Sequence, residues 1–157
     1  MIITNQLLRE AFLSPEMWQY FKRKLPHIPV KELQARIEEC LKYLNMATYC
    51  RGNLPVTQEI DDIWHYWILE TIEYQRLCQI LTGCQFIHHR SNDYQESRKR
   101  IKSLKNPIEW DVAMLSTYVT NYGPFKSDRV RYWWLADHLL TKRGWSVEQL
   151  NNWLESQ

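Results

Sequence analysis

Apolar residues recur at spacings of three and four along most of the chain, the period of a helix that buries one face. Ser14-Pro15-Glu16 offers a cap, a proline at the first helical position and an acid in the first turn. This predicts a helix over 15–25, stopped by Pro26 and Pro29. Leu33, Ile37, Cys40, Leu41, Leu44 and Ala47 predict a second over 30–49, and Arg51-Gly52-Asn53-Leu54-Pro55 breaks the pattern. The third predicted helix is the longest, from a Thr57 cap to about Thr82, ended by Gly83. Beyond it, 84–89 is the one stretch that reads as extended. Ser91 predicts a fourth helix over 91–104. Pro107 opens a fifth, with Ile108, Val112, Leu115, Val119 and Tyr122 on one face and Gly123-Pro124 at its end. A sixth follows over 127–144, closed by Gly144, and Ser146-Val147-Glu148-Gln149 is a capping box for the last. Strand patterns, hairpin turns and internal repeats are missing. The expected fold is all-α, a single domain over 1–157 built as a bundle of six or seven helices around a long central helix, the third.

Composition narrows the picture without naming a reaction. A chain of 157 residues with 45% apolar and 24% charged residues folds as one domain with its own core. Lys and Arg number 20 against 18 Asp and Glu, so the net charge of +2 argues against a polyanion partner for the chain as a whole. The four cysteines, Cys40, Cys50, Cys78 and Cys84, form no Cys-x-x-Cys pair. The first residues lack the basic-then-apolar pattern of a secretory signal, so free thiols and a cytoplasmic location are expected. No run of about 18 apolar residues exists, so no membrane span is expected.

Charge is unevenly distributed. Residues 56–73 hold Glu59, Asp61, Asp62, Glu70 and Glu73 and no Lys or Arg, whereas 90–105 hold Arg90, Arg98, Lys99, Arg100, Lys102 and Lys105. The fourth helix reads either as a nucleic-acid face or as a solvated basic helix beside an acidic one. Tyr132-Trp133-Trp134 lies on helical periodicity and reads as core.

The third helix and the segment after it carry the informative motif. It runs Ile60-Asp61-Asp62-Ile63-Trp64-His65, then Ile68, Leu69, Thr71, Tyr74 and Cys78, then Gly83 and the pair His88-His89. This signature region, 57–89, resembles the glycine-rich domain-containing protein-like family. The chain has four glycines and no glycine-rich tail, so the resemblance implies the signature module alone. It carries no established catalytic activity with it.

On one helix Asp61 and His65 are i and i+4 and share a face. Ile60, Trp64, Trp67, Thr71, Tyr74 and Cys78 then form one stripe, read as core, with Asp61 and His65 on its shoulder beside Ile68. Such a couple reads either as a base or metal ligand oriented by its carboxylate, or as a pair that satisfies itself and anchors a neighbouring helix. His65 and Cys78 cannot share one ion on a straight helix, being about 20 Å apart at about 1.5 Å per residue. Cys78, Cys84, His88 and His89 cluster around the Gly83 turn and are a second candidate metal set, for zinc or iron, although the spacing is not a familiar zinc pattern. The alternative buries Cys78 and hydrogen-bonds His88 and His89 to backbone.

The leading expectation is a binding or accessory module. Its ligand-binding residues are Asp61, Trp64, His65, Ile68 and Thr71, forming an aromatic groove floored by Trp64 for a protein segment or small ligand. The alternatives are a metal-dependent or acid/base enzyme using Asp61 and His65, and an RNA-associated accessory protein using the basic fourth helix. No cofactor is expected on the leading reading.

Overall fold

A computed structural model describes residues 1–50, 56–89 and 108–157. Among these lie eight α-helices and no strand: α1 (Asn5–Phe12), α2 (Pro15–Lys24), α3 (Val30–Ala47), α4 (Gln58–Leu69), α5 (Thr71–Ile80), α6 (Ile108–Tyr122), α7 (Trp134–Arg143) and α8 (Val147–Glu155). A short 3-10 turn, Val130–Tyr132, precedes α7. No helix among the described residues is long and apolar enough to cross a membrane. The all-α bundle expected from the periodicity is the observed architecture. The predicted helix over 91–104, with its basic face, lies outside the described residues.

Local signals place most of the helix ends. The Ser14 hydroxyl accepts from the Met17 amide at 3.1 Å and starts α2 at Pro15. Gly144 closes α7 with a left-handed φ of 70°, and the Ser146–Gln149 capping box starts α8. Three features depart from the pattern. The N-terminal helix α1 was not expected; its Thr4 hydroxyl accepts from the Leu7 amide, a cap with no acid or proline beside it. The predicted sixth helix is shorter, because residues before Trp134 turn and Trp133 is extended, bridged to Val56. Tyr132 and Trp133 are buried as expected, whereas Trp134 is exposed.

The third departure concerns the signature. The helix predicted over 57–82 is two helices, α4 and α5, hinged at Glu70 with φ −89° and ψ 77°. No glycine or proline marks the hinge, so no breaker was legible. The cause is tertiary. Trp64 and Tyr74, ten residues apart, would be separated by about 15 Å on a straight helix, yet the Trp64 indole N–H donates to the Tyr74 hydroxyl at 2.9 Å. Only a chain folded back at Glu70 permits that bond.

The helix through the centre of the bundle is α3, packed by α1, α2, α4 and α6. Every residue from 37 to 46 is buried, so its polar positions enter the interior with its apolar ones. Glu39 is met by Lys42 at 2.6 Å, by the Tyr118 hydroxyl at 2.7 Å, by Trp133 Nε1 at 3.1 Å and by Arg129 at 3.1 Å. Glu38 accepts from Arg129 at 2.9 Å and from Arg9. Burying Glu38, Glu39 and Lys42 is tolerable only because each finds a counter-charge and hydrogen-bond partners, two of the cations, Arg9 and Arg129, reaching in from half-buried positions. Around this centre Phe21 meets Trp67, Tyr43 meets Trp64, and Tyr118 stacks on Phe125 at 4.0 Å.

Candidate functional site

The signature begins on α4, where Ile60, Asp61, Ile63, Trp64 and Trp67 all face inward. Trp64 packs against Tyr43 of α3 at 5.4 Å between ring centroids. Its indole N–H is held by Tyr74, whose own hydroxyl donates to the Ile87 carbonyl at 2.5 Å. This Trp–Tyr–carbonyl chain ties α4, α5 and the segment after α5 together. Burial pushes the Tyr74 phenol well above its ordinary pKa, so it stays a neutral donor.

The chain reverses after α5 against the end of α3. The Thr82 amide donates to Asn45 Oδ1 at 2.9 Å, and the Gly83 amide to the Thr48 hydroxyl at 2.8 Å. The Gln85 amide nitrogen donates to the Thr48 carbonyl. A side chain at position 83 would place Cβ 2.4 Å from the Thr48 carbonyl oxygen, so only glycine allows this approach. Cys84 follows with φ of 48° and completes the turn. The segment 84–89 then runs back along α5: Phe86 lies edge-on to Tyr74 at 5.4 Å, and the Ile87 carbonyl accepts from the Tyr74 hydroxyl.

The return ends over α4. The His89 ring stands perpendicular to the Trp64 ring, 4.6 Å away, and its Nε2 lies 3.0 Å from Asp61 Oδ1. Both side chains are nearly enclosed, 10% and 6% exposed. The Nε2–H donates to the carboxylate, and Nδ1 bonds none of the described residues. His65 is on the rim, exposed, with its ring centroid 6.0 Å from that of His89.

The expected couple is therefore corrected: Asp61 pairs with His89, not with His65. Neighbours at i and i+4 on a helix surface gain only about 0.2–0.5 kcal/mol from each other. A carboxylate rotated towards the interior instead takes the buried donor delivered by the return segment. The expected stripe is corrected as well, because Thr71 opens α5 and is exposed while Ile60, Trp64, Trp67, Tyr74 and Cys78 are buried. The groove expected above Trp64 is filled by the chain's own His89. Of the expected ligand-binding residues, Asp61 and Trp64 lie beneath this cover, Ile68 is half-buried, and His65 and Thr71 face solvent.

The candidate metal residues do not converge. Cys78 is buried in the core, Cys84 is exposed, His88 packs on Phe86 at 5.0 Å, and His89 is held by Asp61. Among the described residues no three His, Cys, Asp or Glu side chains come together to hold an ion. His89 bonds a carboxylate rather than the backbone expected for it.

Sequence reasoning also missed the charged cluster of Glu38, Glu39, Lys42 and Arg129. The available signal was Glu38-Glu39 and Lys42 sitting among Ile37, Cys40, Leu41 and Leu44, with no polar face left over for them. Comparison with protein-family models, with curated proteins and with solved structures gave no match. The family resemblance is carried by its own residues alone.

Proposed function

We propose that the chain is a small helical binding or accessory module of the cytoplasm, as its resemblance to the glycine-rich domain-containing protein-like family implies. It takes a protein segment on the face of α4 beside the latch. One observation supports this reading over an enzyme built on Asp61 and His65: Asp61, Trp64 and Tyr74 are taken up internally, and Asp61 does not meet His65. Trp64 bonds Tyr74, Tyr74 bonds Ile87, and Asp61 bonds His89. The signature thus builds a latch that pins 83–89 over α4, and leaves His65 with the exposed Leu69 and Ile72 as the surface presented outward.

A photoreactive residue placed at His65 or Leu69 should give a discrete protein adduct in cells, and one placed at Glu155 on α8 should not. Equal labelling from all three positions, or none from the first two, overturns the reading.

One observation favours acid/base chemistry as the second reading. Asp61 orients the His89 imidazole through Nε2, and Nδ1 bonds none of the described residues, the arrangement of a carboxylate-supported base. Hydrolysis of an activated ester that is lost in His89→Gln and retained in His65→Gln would favour it.

A further inference from the structure

Two sizeable cavities lie away from the latch and differ in charge. A cleft of about 630 Å³ beside α2 carries both signs, Arg23 and Lys24 against Glu16, Glu70 and Glu73. A second, of about 440 Å³, lies where α1 begins and α6 ends. Its charged lining residues are Lys42, Lys126 and Arg129, with no carboxylate among the residues that line it.

The sign of this wall follows from the cluster behind it. Glu38, Glu39 and the exposed Asp128 meet three cations, Arg9, Lys42 and Arg129, and none of the three carboxylates lines the cavity. Lys126 at the loop adds a further cation. Lys42 is 4% exposed, and its ammonium bonds Glu39 on one side and the Tyr118 hydroxyl on another. Burial pulls the Lys42 pKa below its ordinary value, with Glu39 opposing. A further anion in the cavity would relieve that cost.

The start of α1 points the same way. Thr4 and Asn5 line the cavity, so the positive end of the helix dipole lies at its wall. The remaining lining is largely apolar: Ile2, Ile3 and Pro124 reach solvent, and the stacked rings of Tyr118 and Phe125 are buried. Asn151 holds the loop in place, accepting from the Phe125 amide at 2.7 Å and donating to the Phe125 carbonyl at 3.0 Å.

We propose that this cavity is a binding site for a small organic anion, a carboxylate or phosphate head on an apolar body, with Lys42, Lys126 and Arg129 around the head and Ile2, Ile3 and Pro124 against the body. The volume suits a ligand of that size. The site shares no residue with the latch or the α4 face, so it stands or falls separately from the function proposed above.

Calorimetric titration of the full chain at constant ionic strength tests it. Benzoate and phenyl phosphate carry the two heads on one body, and acetate and inorganic phosphate are the heads alone. At least one of the first two should bind with one-to-one stoichiometry and more tightly than its bare head. Two variants reverse or remove favourable charge without touching the buried cluster. Lys126→Glu changes an exposed side chain, and Asn5→Asp puts an acid in the first turn, where it favours the helix itself. Each should keep the unliganded melting temperature and weaken binding by about tenfold. No saturable binding of either aromatic probe, or affinities unchanged in both variants, overturns the proposal.

Discussion

The carboxylate of Asp61 meets the imidazole of His89 at 3.0 Å, across 28 residues of chain, while His65 on the same helix faces solvent. This contact closes a return segment over α4 and makes Asp61 and His89 the coupled pair. Asp61→Asn and His89→Gln should each cost about 1–3 kcal/mol, because each leaves a buried partner unsatisfied. The double variant should cost less than their sum. Asp61→Asn combined with His65→Gln should be additive within about 0.5 kcal/mol. Urea unfolding of the six proteins measures both cycles, and coupling of Asp61 to His65 instead would contradict the geometry.

Gly83→Ala tests the turn that starts the return. The new methyl would sit 2.4 Å from a backbone oxygen and 2.6 Å from the Thr48 Cβ, neither of which is a flexible chain end. A loss of about 1–3 kcal/mol is expected, read as a lower urea midpoint with unchanged slope. Wild-type stability in this variant would mean that α5 does not dock on the end of α3.

Trp64 and Tyr74 test the hinge. Trp64→Ala should cost about 3–5 kcal/mol through the cavity it leaves. Tyr74→Phe removes one oxygen but orphans both the Trp64 indole N–H and the Ile87 carbonyl, and should cost about 1–3 kcal/mol. Amide exchange in Tyr74→Phe should quicken over 84–89 before it does in α3, since that bond pins the segment.

Alkaline pH should unfold the protein. Burial raises the phenols of Tyr43, Tyr74, Tyr118 and Tyr122 above their ordinary value of 10.0. The folded state therefore keeps protons that the unfolded chain releases, and stability is lost as pH rises above about 10, by up to about 1.4 kcal/mol per pH unit for each phenol. Lys42 acts oppositely: its pKa is lowered from 10.5, so its contribution grows with pH below that value. Four groups against one give a net fall. Denaturant melts across this range, followed with phenolate absorbance, should show these tyrosines ionising only as the fold is lost.

Thiol chemistry reports the packing directly. Cys84 is exposed and should react first with a disulfide reagent. Cys50 is half-buried with its thiol pKa raised by burial, and should follow slowly. Cys40 and Cys78 are buried and should react only on unfolding. Mass spectrometry of partly labelled protein gives the order.

The sequence by itself determined what depends on neighbours along the chain. The caps at Ser14 and Ser146, the left-handed stop at Gly144 and the buried stripe through Ile60, Trp64 and Trp67 are short-range consequences of residue type. Only the tertiary structure decided which groups meet. Glu70 breaks a helix that its neighbours would continue, because the Trp64–Tyr74 bond requires α4 and α5 to fold together. Asp61 takes His89 rather than its helical neighbour, because a Gly83 pressed against Thr48 sends the chain back over it. The charges of α3 become interior because Arg9, Tyr118, Arg129 and Trp133 arrive from other elements to satisfy them. Helical periodicity fixes which residues can share a face; the partner that a buried polar group finds depends on what the rest of the chain delivers to it.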